Sequence, residues 1–137
     1  MKIMLLVEDS LTDEKLTIRA FKKHAVVNQI DVARDGEEAL AYLFDSARAL
    51  PTVVLLDLKL PKIDGLEVLK RVRANSRTRF IPTVVLTSSK EQEDVARSYS
   101  VGANAYVRKP VDFVQFAEAA KALGLFWCVV NEPPPKA

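Results

Sequence analysis

One alternation constrains this chain more than anything else in it. Five short apolar runs, Ile3–Val7, Ile30–Ala33, Val53–Leu56, Thr83–Leu86 and the weaker Ala105–Val107, are each followed by a helix start. The starts are cap residues with an acid or amide three positions on: Ser10/Asp13, Asp35/Glu38, Asp64/Glu67, Ser88/Glu91 and Asp112/Gln115. The first, third and fourth runs are continuously apolar, as strands covered on both faces of a parallel sheet must be. Between the caps, Ala39, Leu40, Leu43, Phe44 and Leu66, Val68, Leu69, Val72 recur at three-to-four spacing, so each segment has one apolar helix face.

The pattern predicts a single α/β domain, a (βα)5 doubly wound parallel sheet in the flavodoxin-like order 2-1-3-4-5. Right-handed crossovers put helices on both faces, and such sheets bind their ligands beyond the carboxyl ends of the strands. A length of 137 residues suits one domain, and 49% hydrophobic residues with only 4 Gly can supply a core. We expect the domain to span residues 1–123, followed by an apolar extension over 124–137 that ends in a Pro-rich tail.

Several function classes fall away on composition. Lys+Arg total 20 against 18 Asp+Glu, a net charge of +2 that is too mild for tracking a polyanion. The cluster Lys70, Arg71, Arg73, Arg77, Arg79 is read as cations complementing the dipole at the end of the third helix, with no nucleic acid bound. The first apolar run stops after five residues at Glu8, too short for a signal-peptide core or a membrane span, so a cytoplasmic protein is expected. Cys128 has no partner cysteine, and the lone His24 suits an ordinary helix end.

The residues just past each strand carry the chemistry. They are Glu8 and Asp9 after the first, Asp57 after the third, Thr87 after the fourth and Lys109 after the fifth. In a doubly wound sheet the first and third strands are neighbours, so Glu8, Asp9 and Asp57 meet although far apart in sequence. Their mutual repulsion calls for a hard divalent cation with oxygen ligands, for which Mg²⁺ is the default. An aspartate beside such a cation can attack phosphorus and form an aspartyl phosphate, with Lys109 and the Thr87 hydroxyl suited to the phosphoryl oxygens.

Four motifs in order carry a family resemblance: Leu5-Leu6-Val7-Glu8-Asp9-Ser10; the stretch from Val54 through Asp57 to Asp64-Gly65; Val84-Val85-Leu86-Thr87-Ser88; and the stretch from Gly102 to Lys109-Pro110. The chain resembles the receiver domains of two-component response regulators over about residues 1–123. The resemblance implies that Asp57 is the phosphoacceptor, and that Asp9, Asp57 and the Leu58 carbonyl are Mg²⁺ ligands with Glu8 helping through water. It implies that Thr87 and Lys109 contact the phosphoryl group, that the Lys109–Pro110 bond is cis, and that a sensor histidine kinase is the partner. More narrowly the chain is similar to the stand-alone regulators of bacterial and cyanobacterial phytochrome kinases, through Val7-Glu8-Asp9-Ser10 with Asp13, Arg34-Asp35-Gly36, the stretch Arg79 to Ser88, and Leu125-Phe126-Trp127.

The same resemblance assigns Thr87 and Tyr106 to a conformational switch, and Lys59 and Ser89 to the path of the hydrolytic water. A haloacid-dehalogenase enzyme would carry a second acid two residues past Asp57, where this chain has Lys59. A nucleotide fold would open its first helix with glycines, where this chain has Glu8-Asp9-Ser10-Leu11-Thr12. The rival from another class is a receiver-fold interaction module that works without phosphorylation. The expected protein is a switch rather than a metabolic enzyme, with an unidentified downstream target. Leu125, Phe126 and Trp127 open six consecutive apolar residues that one helix face cannot cover, and no Lys or Arg lies between 124 and 135 to suit a membrane anchor. The segment either folds back on its own domain or meets a second copy, and the expectation is a homodimer through the fifth helix and this tail.

Overall fold

Parallel pairing orders the whole molecule. The structure, a computed structural model, describes residues 2–23, 29–88 and 92–108. Strands β1 (Ile3–Val7), β2 (Gln29–Ala33), β3 (Val53–Leu56), β4 (Thr83–Thr87) and β5 (Ala105–Arg108) alternate with helices α1 (Leu11–Lys23), α2 (Gly36–Leu43), α3 (Gly65–Ala74) and α4 (Gln92–Val101). The five strands form one sheet in the order β2-β1-β3-β4-β5, all neighbours parallel, as the alternation predicted. The expected fifth helix, the tail and the 123/124 boundary lie outside the described residues, as do His24 and Cys128.

Strand parity sorts the core onto two faces. Leu5 and Val7 of β1, Val54 and Leu56 of β3 and Val85 of β4 pack with Ala39, Leu40 and Leu43 of α2 and Val68, Leu69 and Val72 of α3. Met4, Leu6, Val53, Leu55, Val84 and Leu86 face the other way, where Phe21 and Ile18 of α1 cover them. Burying each such side chain contributes about 1.5–3 kcal/mol, which makes the three central strands the anchor of everything at their carboxyl ends. Phe44 departs from the expected apolar face. It is the C-cap of α2, its N–H bonded to the Leu40 carbonyl, and is 40% exposed.

The helix starts follow their caps. The Ser10 Oγ accepts from the Asp13 N–H at 3.3 Å, Asp35 Oδ1 from Glu38 at 2.8 Å and Asp64 Oδ1 from Glu67 at 3.0 Å. For the Ser88/Glu91 and Asp112/Gln115 pairs, Glu91 and the whole of the second pair lie outside the described residues.

Arg71 and Arg73 stand in the last turn of α3 as expected, and the basic cluster also makes contacts that the expectation did not include. Arg71 pairs with Glu67 one turn back at 2.9 Å. Arg73, however, donates to the carbonyls of Gly102 (2.9 Å), Ile81 (2.8 Å) and Arg79 (3.1 Å) and to Asn104 Oδ1 (3.1 Å). Arg77 reaches the carbonyls of Leu43, Asp45 and Arg48. These two guanidiniums therefore fasten loops to one another at the end of the sheet opposite the acidic residues, and burial holds Arg73 below the ordinary arginine range.

Candidate functional site

Register places the acids. Val7 of β1 pairs with Ala33 on one side and with Leu56 on the other, so the chain leaves β1 and β3 at the same level. The Glu8 N–H then bonds to the Ala33 carbonyl at 3.0 Å and the Asp57 N–H to the Val7 carbonyl at 3.0 Å, which carries the pairing one residue past the strands. The result is a cluster in which carboxylate oxygens of Glu8, Asp9 and Asp57 all lie within 4.8 Å of one another. Glu8 is 1% exposed and Asp57 7%, while Asp9 opens to solvent. Burial raises the cost of keeping like charges together, and an all-oxygen donor set with one open side fits a hard cation that keeps some of its waters.

Each buried acid has a backbone donor. Glu8 Oε2 accepts from the Ser10 N–H at 3.3 Å, and Asp57 Oδ1 accepts from the Lys59 N–H at 3.0 Å. The Leu58 carbonyl, a ligand in what the resemblance implied, is engaged within its own turn. It accepts from the N–H groups of Leu60 (3.1 Å) and Gly65 (3.0 Å), so both of its lone pairs are used within the turn.

The other expected residues distribute as follows. Thr87 is the last residue of β4, in register with Arg108 at the same edge, and Tyr106 sits in β5 opposite Val85, half-buried against the α2–α3 face of the core. Lys59 is exposed, two residues past Asp57. Lys109, Ser89, Leu125, Phe126 and Trp127 lie outside the described residues.

Sequence reasoning missed what holds the loop between Asp57 and α3. The Ile63 N–H bonds to the Pro61 carbonyl at 2.8 Å across Lys62, whose φ of 68° is rare for a residue with a Cβ. Pro61 before such a turn was the only local signal, since proline pre-sets the first half of many tight turns. The Lys62 ammonium lies 3.5 Å from both Asp35 and Glu37 at the start of α2. Asp35 first, then Glu37, raises the Lys62 pKa above its ordinary value, and the Glu38 N–H first, with Lys62 after it, lowers that of Asp35. Beside them, Arg34 pairs with Glu14 of α1, linking the carboxyl end of β2 to the first helix.

Comparison with known proteins follows the same lines. The response regulator receiver domain family matches residues 4–121. A probable methanogenesis regulatory protein, FilR2, from Methanothrix harundinacea is 41% identical over 96% of this chain and 87% of its own length. Response regulator Rcp1 from Synechocystis is 35% identical over 92% of this chain and 88% of its own. The structure of its Mn²⁺-bound form superposes with a TM-score of 0.86 at 34% identity, covering 98% of this chain and all of the other. The bacteriophytochrome response regulator RtBRR is 50% identical, with a TM-score of 0.79 over 98% of this chain and 85% of its own.

Proposed function

This chain belongs to the response regulator receiver domain family, and on that premise we propose that it is a single-domain response regulator taking a phosphoryl group onto Asp57 from the phosphohistidine of a phytochrome-type sensor kinase. The observation that carries the reading is the meeting of Glu8, Asp9 and Asp57 at one end of the sheet, in a chain similar to bacteriophytochrome response regulators. An Asp57 carboxylate oxygen attacks phosphorus, the P–N bond to the kinase imidazole breaks, and the imidazole nitrogen keeps the electron pair. The product is an acyl phosphate on Asp57 and a free histidine.

Asp9 and Asp57 would hold Mg²⁺ directly, with Glu8 behind them through water. When bound, the metal offsets charge on the carboxylates and on the transferring oxygens. Burial keeps Asp57 fixed on its edge, and the Lys59 N–H orients its carboxylate. Thr87 and Lys109 contact the phosphoryl group, and Thr87 with Tyr106 moves the β4–β5 surface between two packings that differ in partner affinity. Lys59 and Ser89 border the approach of the hydrolytic water and set the lifetime of the acyl phosphate. The reading places the protein in the cytoplasm as a homodimer through its fifth helix and Leu125, Phe126 and Trp127. Among the described residues no helix is long and apolar enough to cross a membrane.

Incubation with acetyl phosphate and Mg²⁺, followed by intact mass, tests the acceptor. The wild type gains one phosphoryl group and Asp57→Asn gains none. Modification of Asp57→Asn at wild-type stoichiometry would reject the assignment, and an unmodified wild type would favour an interaction module. Light scattering of the full chain against a chain ending at Leu123 tests the dimer, which requires twice the chain mass for the first only.

A further inference from the structure

The turn that follows Asp57 is held from outside by a helix that contributes nothing to the acidic cluster. Three contacts fasten it to the start of α2. The Gly36 N–H donates to the Pro61 carbonyl at 3.4 Å, and a Cβ on Gly36 would lie 2.0 Å from the Ile63 carbonyl oxygen, so the two backbones touch. The third contact is the forked ion pair from Lys62 to Asp35 and Glu37.

Lys62 occupies an unfavourable backbone region, with φ 68°. A lysine there needs a compensating interaction, since glycine or asparagine would take the same conformation at less cost. The forked ion pair is that interaction. It acts on a loop that starts from the Lys59 N–H, and that N–H is bonded to Asp57 Oδ1.

We propose that Lys62 is a positioning residue for Asp57: by latching the turn to Asp35 and Glu37 it holds the Lys59 N–H on the carboxylate and so fixes the angle at which Asp57 meets phosphorus. The inference rests on the phosphoacceptor reading above. It adds that α2 regulates the reactivity of a site it does not touch. Lys62 and Glu37 side chains are 58% and 61% exposed, so solvent screens the latch and its effect is graded rather than absolute.

The test uses the full chain with Lys62→Asn, which keeps the turn conformation without the charge, and Lys62→Arg, which restores the charge. Two measurements are made at low and high salt: amide exchange at Lys59 in the unphosphorylated protein, and the initial rate of phosphorylation by acetyl phosphate with Mg²⁺. In Lys62→Asn exchange at Lys59 should rise about threefold and phosphorylation should slow by a similar factor, the scale of exposed ion pairs. Lys62→Arg should recover both, and high salt should move the wild type toward Lys62→Asn. Exchange and rate unchanged in Lys62→Asn would overturn the latch. A wild type that takes no phosphoryl group would overturn the acceptor reading instead, and the exchange measurement keeps the two failures apart.

Discussion

A Cβ added to Gly65 would lie 2.2 Å from the carbonyl oxygen of Asp57 and 2.7 Å from the Cα of Leu58. The first turn of α3 thus rests directly on the backbone of Asp57 and Leu58, and the Gly65 N–H bonds to the Leu58 carbonyl at 3.0 Å.

Gly65→Ala decides between two opposing effects. At an unconstrained helix position the substitution would stabilise by about 1 kcal/mol through helix propensity. Here the methyl cannot fit unless the Asp57–Leu58 backbone moves, and overpacking of that kind costs about 1–3 kcal/mol. The clash should win. Urea denaturation should show a net loss of up to about 2 kcal/mol, and displacement of Asp57 should slow phosphorylation by acetyl phosphate at least about tenfold. A stabilised variant with an unchanged rate would show that the turn yields freely.

Tyr42 supplies a pH prediction away from the site. Its hydroxyl donates to Asp31 Oδ2 at 2.6 Å, from α2 to the edge strand β2, with the Arg48 guanidinium 4.4 Å from the ring centre. Burial first, then the hydrogen bond to Asp31 and its charge, pushes the Tyr42 pKa up to about 12, while the Tyr42 hydrogen bond lowers that of Asp31. Tyr42 is neutral when folded and ionises more easily when unfolded, so its contribution is complete below its ordinary value of 10 and is lost as pH rises toward 12. For Asp31 the sign is opposite. Its contribution is present above the ordinary value of 3.8 and is lost as pH falls through its lowered one. Tyr42→Phe should flatten both limbs of a stability profile and remove the phenolate that appears at about 12 in an absorbance titration. A wild type whose tyrosines all ionise near 10 would contradict this.

Arg73 joins the end of α3 to the start of β4 and to the loop between α4 and β5. Arg73→Met keeps much of the apolar stem but strands the carbonyls of Gly102 and Ile81, each left buried or half-buried. A loss of about 1–3 kcal/mol is expected, with no direct effect on the acidic cluster at the other end of the sheet. Urea denaturation alongside the acetyl phosphate rate checks both halves. Undiminished stability would mean that water replaces the guanidinium.

How much of this was legible depended on whether the cause was local. Ser10, Asp35 and Asp64 cap their helices because a cap and its acid lie three residues apart, and β1, β3 and β4 are continuously apolar because both faces are covered. The meeting of Glu8, Asp9 and Asp57 followed once strand order was inferred, since register then puts β1 and β3 ends together. The bonds that Arg73 makes were not foreseen because the carbonyls it serves come from two separate loops, at Arg79 and Ile81 and at Gly102. The two N–H groups that the Leu58 carbonyl meets were not legible, because the turn that brings them depends on Gly65 packing and on Lys62 at positive φ. Neither is visible as a pattern in residue types.

The acidic cluster makes its own prediction, in which one substitution changes sign with the metal. Without a divalent cation, Glu8, Asp9 and Asp57 repel one another, and Asp9 is the exposed member whose neutralisation disturbs the least packing. Asp9→Asn should therefore raise the melting temperature in a chelator, by about 2–5 °C for a gain near 1 kcal/mol in a domain of this size. With Mg²⁺ the order should reverse. A ligand that binds only the folded state stabilises it by RT ln(1 + [L]/Kd), about 2.7 kcal/mol at a hundred times Kd, and a variant without the Asp9 charge forfeits most of that gain. Glu8→Gln should weaken Mg²⁺ less, since the amide oxygen still accepts from the Ser10 N–H and the reading places Glu8 behind a water. Melting curves of the three proteins with chelator and along a Mg²⁺ series give all of these quantities together. The curves of wild type and Asp9→Asn should cross as Mg²⁺ rises, and parallel curves would refute metal binding through Asp9.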